Sequence, residues 1–127
     1  DPKDAIDVIA KVGGLDIAGM VGCYLGAAIC QMPILIDGFI SAVSAYLACM
    51  LNQTAKEYMI PTHCSAEPAA KMIMEKLGME APLHAGMHLG EGTGAIMGLS
   101  LIDQALNVYY HVATFEGGHV EAYTHQV

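Results

Sequence analysis

Apolar runs broken by glycine, proline and single acids set the outline of the chain. Asp1-Pro2-x-Asp4 opens a helix, with an Asp cap, a proline in the first turn and an acid to follow. Ile6, Ile9 and Ala10 supply its apolar stripe, and Gly13-Gly14 predicts its stop. A second helix is expected from about Leu15 to Cys30, where Gly19, Gly22 and Gly26, with Ala18 and Cys23, make a smooth face for another backbone. Pro33-Ile34-Leu35-Ile36 reads as a buried parallel strand, ended by Asp37-Gly38. Phe39–Gln53 is apolar nearly all round, so it is expected as an interior helix.

Tyr58-Met59-Ile60 predicts a second strand, ending at Pro61-Thr62-His63. Ser65-Ala66-Glu67-Pro68 opens a helix over Ala69–Leu77, with Ser65 as its simplest cap, Lys71 and Glu75 paired at i,i+4, and Gly78 as terminator. Leu83–Leu89 is either a loop or a short extended piece. A long helix is expected from about Gly92 to Thr114. Its polar stripe (Ser100, Asp103, Gln104, Asn107, His111) is narrow, so most of its girth should be covered. Alternating strands and helices predict an α/β fold, a short parallel sheet flanked by helices. Residues 1–115 belong to that domain and 116–127 to an irregular tail.

Composition narrows the classes. The chain has 127 residues, 54% of them hydrophobic, and a net charge of −8 from 13 acids against five lysines, with no arginine. So apolar a chain is not disordered. Without a basic face it does not suit nucleic acid. Any phosphate must therefore rely on backbone N–H groups, helix N-termini or a lysine. The charge-free runs Ile17–Ile36 and Gly38–Ala55 are long enough to span a membrane. Their glycines, Gln31, Pro33, the intervening Asp37 and the lack of a flanking basic cluster favour buried helices over a membrane hairpin. No secretory signal opens the chain. Cys23, Cys30, Cys49 and Cys64 form no C-x-x-C pair and read as buried free thiols of a reducing cytoplasm. His84 and His88 are spaced i,i+4 but across Ala85-Gly86-Met87, a poor helix, and no metal-ligand motif appears, so no metal is expected. Met72, Met74, Met79, Met87 and Met97 read as core filling.

Three loops could carry chemistry: Asp37-Gly38, Thr62–Glu67 and Leu89–Gly94. Ligands of open α/β sheets bind beyond the carboxyl ends of the strands, which places the first two at one site. In the third, Gly90, Gly92 and Gly94 let backbone approach a ligand and present Glu91 at a helix start, where a carboxylate can serve as general base or simply favour the helix terminus. The loop is neither a Walker A nor a Rossmann fingerprint. Asp37 reads as a hydrogen-bonded turn acid before it reads as a catalyst. Ser65 caps a helix whose N-terminus could equally seat a phosphate or a ligand hydroxyl.

Five motifs, taken in order, carry a resemblance: Gly13-Gly14-Leu15-Asp16-Ile17-Ala18, Pro33–Ile40, His63–Pro68, Leu89–Ala95 and Ala113-Thr114-Phe115. They closely resemble the nicotinate-nucleotide–dimethylbenzimidazole phosphoribosyltransferase family of cobamide lower-ligand assembly, collinearly from about Gly13 to Phe115. The resemblance covers about the C-terminal third of a family enzyme, so the chain is expected to be a C-terminal portion of one. It implies a Rossmann-like three-layer α/β/α domain and a cytoplasmic homodimer using no cofactor and no metal. The implied reaction joins 5,6-dimethylbenzimidazole to the ribosyl C1′ of nicotinate mononucleotide, releasing nicotinate and giving α-ribazole 5′-phosphate. It implies Glu91 as the base that takes the azole proton. Leu89, Gly90 and Gly92 would wall the azole site, Ser65 and Ala66 would hold phosphate or ribose, and Asp37 and Gly38 would lie beside them. The alternative is a binding or dimerisation module of that enzyme, inactive in isolation. Cys64, Tyr109, Tyr110 and His111 depart from the family pattern.

Overall fold

Asp4, rather than Asp1, caps the first helix: its Oδ1 accepts the N–H groups of Ile6 (3.0 Å) and Asp7 (3.2 Å). In the computed structural model, which describes residues 1–121, α1 (Ala5–Val8) passes through a π-helical turn over Ile9–Gly13 into α2 (Gly14–Ile29). The Gly13-Gly14 pair is thus a joint and not a stop. Gly14 takes φ +71°, and the helix resumes at once, which a residue without a Cβ permits at little cost. The helical stretch Ala5–Ile29 is long and apolar enough to cross a membrane by length and composition.

β1 (Ile34–Ile36) follows, then α3 (Phe39–Leu51). Asn52 ends α3 and caps a 3-10 turn over Gln53–Tyr58, its side chain accepting the Thr54 N–H at 3.0 Å. β2 (Met59–Pro61) lies parallel to β1 in the register Ile34↔Met59, Leu35↔Ile60 and Ile36↔Pro61. Pro61 has no N–H to give, and Thr62 takes over: its amide (3.2 Å) and hydroxyl (2.6 Å) both donate to the Ile36 carbonyl. Beyond it, His63 bridges Leu83 in parallel, and the amides of Cys64 and Ala66 donate to Leu83 and Met87 at 2.9 Å each. The ambiguous 83–89 stretch is therefore the extended partner of the 63–66 segment. α4 (Ala70–Leu77) ends at Gly78 in the left-handed conformation, φ +61°. α5 spans Thr93–His111.

The core centres on α3, whose Ala42, Ser44, Ala45, Leu47, Ala48 and Cys49 are buried. Small side chains on this helix let α2 and α4 approach it, and Val21, Tyr24, Ile36, Met59, Ile73, Met74 and Leu77 close the cluster. The interior helix expected here is present.

Two expectations about covered surface fail. Along α5 only Gly94 and Gly98 are buried, while Ile96, Leu99, Leu106, Val108, Tyr109 and Tyr110 are exposed. The sheet has two strands, so the helix outruns the surface available to cover it. Likewise, nothing stands within 4 Å of where a Cβ would project from Gly19, Gly22 or Gly26, and Leu15 is 92% exposed. Met74 is buried and Met79 packs on the core, whereas Met72 and Met97 are exposed. All four cysteines are free, but Cys23 and Cys30 are exposed, since they lie on that uncovered side of α2. Of the tail placed at 116–127, residues 122–127 lie outside the described residues.

Two glycine substitutions separate close approach from open surface. A Cβ on Gly98 would lie 2.5 Å from Cγ2 and 2.6 Å from Cβ of Thr62. Gly98→Ala should therefore destabilise this chain by about 1–3 kcal/mol. Gly22→Ala meets no atom and removes a flexible residue from a helix, so it should stabilise by about 0.5–1 kcal/mol. Urea denaturation midpoints of the two variants should move in opposite directions.

Candidate functional site

The end of β1, the start of α3 and the loop before α5 meet around a cavity of about 690 Å³. Asp37 joins them. It leaves β1 at Ile36, and its side chain crosses to the far loop, where Oδ2 accepts the Gly92 N–H (3.0 Å) and Oδ1 the Ala95 N–H (2.9 Å). A carboxylate distant in sequence thus caps α5, satisfying two orphan amides and opposing the positive end of the helix dipole. Asp37 is itself held from behind. Its amide donates to Ser41 Oγ (2.9 Å), which is hydrogen-bonded to the Tyr24 hydroxyl (2.7 Å).

The anchored loop presents Glu91. Gly90, Glu91 and Gly92 take φ of +75°, +55° and +77°, three left-handed residues in succession. Only glycine adopts this region freely, so Glu91 is the one side chain in a stretch that otherwise excludes them. Thr93 closes the turn, its hydroxyl (2.7 Å) and amide (3.0 Å) both donating to the Gly90 carbonyl. Among non-glycine residues Glu91 shares this uncommon conformation with Gln31 and His119, and of the three Glu91 alone lies in the cavity lining.

His63 supports the same loop from below. It is 4% exposed, and a Cβ on Gly94 would lie 1.9 Å from its Nδ1. That nitrogen has no hydrogen-bond partner among the described residues. Gly94 over His63 and Gly98 over Thr62 form one notch, through which α5 sits down on the strand end.

Of the residues singled out in the sequence, Asp37, Gly38, Ser65, Leu89, Gly90, Glu91 and Gly92 all line this cavity. Ala66 is not in the lining, and its amide is engaged by Met87. Ser65 does not cap α4, which begins at Ala70 without a side-chain cap; its hydroxyl contacts Glu67 and the Met87 carbonyl instead. Gly38, in contrast, stands at the start of α3 with no side chain capping that helix. Sequence reasoning assigned no role to Tyr24, Ser41 or Asp16; it placed His63 and Glu67 in a chemistry-bearing loop without a role of their own, and weighed His88 only as a metal ligand. Glu67 had a signal, its place in Ser65-Ala66-Glu67-Pro68, whereas Tyr24 and Ser41 had none. Among the described residues the cavity is lined by four carboxylates (Asp16, Asp37, Glu67 and Glu91), one histidine, and no lysine. Among the described residues no three His, Cys, Asp or Glu side chains are grouped to hold a metal.

Burial raises the Tyr24 phenol from its ordinary value of 10.0 to about 12, despite an opposing hydrogen bond from Ser41. The folded chain then keeps a proton that the unfolded chain loses above pH 10. Stability should accordingly fall between pH 10 and about 12, by about 1 kcal/mol per pH unit for this group. Tyr24→Phe should remove that increment, measured as the difference between the two proteins' urea melts across this range.

A phosphoribosyltransferase family model matches residues 1–120. The chain is 50% identical over 127 residues to the nicotinate-nucleotide–dimethylbenzimidazole phosphoribosyltransferase of Acetivibrio thermocellus, covering 100% of this chain and 36% of that relative. It is 51% identical over 121 residues to the protein of that name from Clostridium acetobutylicum, covering 95% and 34%. Superposition on the crystal structure of CobT from Thermus thermophilus gives a TM-score of 0.85 at 32% identity, covering 92% of this chain and 35% of that one. A second structure, the nicotinate-nucleotide–dimethylbenzimidazole phosphoribosyltransferase of the same organism, gives 0.86 at 32% identity, covering 94% and 36%. The chain spans about a third of the length of the curated relatives it matches. Its α/β fold is theirs, and the chain belongs to the phosphoribosyltransferase family.

Proposed function

We propose that a protein of the relatives' length carrying this chain transfers the phosphoribosyl group of nicotinate mononucleotide to 5,6-dimethylbenzimidazole, giving α-ribazole 5′-phosphate and nicotinate. The observation that carries this reading is Glu91, displayed between two left-handed glycines on a loop that Asp37 pins to the sheet. One azole nitrogen attacks C1′ through its lone pair. The N-glycosidic bond breaks with its electrons moving to the pyridine nitrogen, and the proton on the other azole nitrogen passes to Glu91. General-base help of this kind contributes about 10²–10⁴ in rate.

The electrostatics of the cavity support the same reaction. Its carboxylates favour the positive charge that develops at C1′ as the bond breaks. Phosphate has to avoid those carboxylates. Asp37 already occupies the start of α5, so the uncapped start of α3 at Gly38 is the seat we assign to phosphate. Leu89, Gly90 and Gly92 would wall the azole.

We further propose that this protein is a cytoplasmic homodimer that binds neither membrane nor nucleic acid. Four unpaired thiols fit a reducing compartment. Charged Asp7, Lys11 and Asp16 interrupt the apolar helical stretch, and the exposed apolar faces of α2 and α5 suit further protein. The second reading, a binding or dimerisation module without activity of its own, is favoured for the isolated chain by those same faces.

Incubating the longer protein with nicotinate mononucleotide and 5,6-dimethylbenzimidazole, then separating products by chromatography, should yield α-ribazole 5′-phosphate. A folded protein that yields none overturns the proposal. Glu91→Gln should lower kcat by about 10²–10⁴ while the donor still binds; an unchanged rate would remove Glu91 as the base. The 127-residue chain alone should show no turnover.

A further inference from the structure

Glu67 is the carboxylate of the cavity that the reaction above leaves without a task. It is half-buried, lines the same cavity as Glu91, and forms no ion pair among the described residues. Its contact is with Ser65, whose hydroxyl donates to Glu67 Oε2. Ser65 is 8% exposed, and its other neighbour is the Met87 carbonyl at 3.4 Å, again an acceptor.

Donor arithmetic decides what can bind there. A serine hydroxyl has one proton and two lone pairs, and an ionised carboxylate only accepts. Whether the Ser65 proton goes to Glu67 or to Met87, no donor is left for a ligand. The corner offers two adjacent acceptors, Ser65 Oγ and the free Oε1 of Glu67, in a negative field. Phosphate oxygens, which also only accept, are repelled from it. A pair of neutral hydroxyls fits, since each can donate to one acceptor, as ribose hydroxyls donate to acidic residues in dinucleotide-binding folds.

We infer that Glu67 and Ser65 together hold the 2′,3′-diol of the ribosyl donor, Glu67 the 2′-hydroxyl and Ser65 the 3′-hydroxyl, which makes Glu67 a residue selecting ribose over deoxyribose. This rests on the phosphoribosyl transfer proposed above. Of the two roles open to Ser65, phosphate or ribose, it selects ribose. A hydrogen bond to the 2′-hydroxyl also strengthens as positive charge develops at C1′, so the contact acts on kcat as well as on binding.

The test compares nicotinate mononucleotide with its 2′-deoxy counterpart in the longer protein. The unsubstituted protein should prefer the ribosyl donor by about 10- to 100-fold in kcat/KM, the range of a hydrogen bond to a charged group. Glu67→Gln should lower kcat/KM for the ribosyl donor and leave the deoxyribosyl donor nearly unchanged, so that the preference collapses. Ser65→Ala, which removes the acceptor left to the 3′-hydroxyl, should lower kcat/KM for both donors alike and leave the preference standing. Equal losses on both donors in Glu67→Gln would overturn the inference, because a merely structural Glu67 cannot sense one hydroxyl. Calorimetry with ribose 5-phosphate and 2-deoxyribose 5-phosphate reads the same preference without the reaction. A preference in binding that Glu67→Gln abolishes, in a protein that makes no product, would overturn the transfer reaction and uphold the diol contact. Binding without any preference would overturn the contact itself.

Discussion

One carboxylate organises the site. Asp37 stands where β1 ends and reaches the first turn of α5, more than fifty residues further along the chain, with both oxygens engaged by amides. Two charge-assisted hydrogen bonds at a helix N-terminus are among the stronger polar contacts available to a small domain. Their geometry leaves little freedom to the residues between Gly90 and Ala95. Glu91 is displayed where it is because its neighbours are held. The close approach this requires explains the glycines: Gly94 and Gly98 are the faces of α5 that meet His63 and Thr62, and any larger residue would lift the helix off Asp37. The cap, the notch and the left-handed turn form a single arrangement.

That arrangement also sorts the acids of the cavity by role. Asp37 is committed to the backbone, so it cannot also bind a ligand through the same lone pairs. Glu91 projects from the loop and Glu67 rests against Ser65. In a chain without arginine, a cavity lining this acidic among the described residues offers hydrogen-bond acceptors through its side chains.

The same chain leaves apolar surface uncovered on α2 and α5, while α3, between α2 and α4, is closed. Exposed apolar area is the kind of surface that meets further protein or a membrane. The apolar helical stretch Ala5–Ile29 carries part of it.

Much of the fold was legible in the sequence, because local rules govern it. The β-branched run at Ile34–Ile36, the apolar circumference of α3 and the Gly78 terminator are each read from a few neighbouring residues. The three glycine- and acid-bearing loops were legible for the same reason, and all of them border the cavity. Sequence periodicity could not say how much of α5 is covered, since that depends on how many strands lie beneath it. Nor could it pair Tyr24 with Ser41, or set His63 under Gly94. Ser65 looked like a cap from its spacing to Pro68, but the backbone stays extended as far as its bond with Met87, and its hydroxyl turns to Glu67. By itself, then, the sequence determined where helices and strands form and which side chains could do chemistry, since both follow from residue type and short-range spacing. Tertiary structure alone decided that the Asp37 carboxylate belongs to the backbone and that the Ser65 hydroxyl meets Glu67. Hydrogen-bond partners are set by proximity in space, and distance along the chain does not encode it.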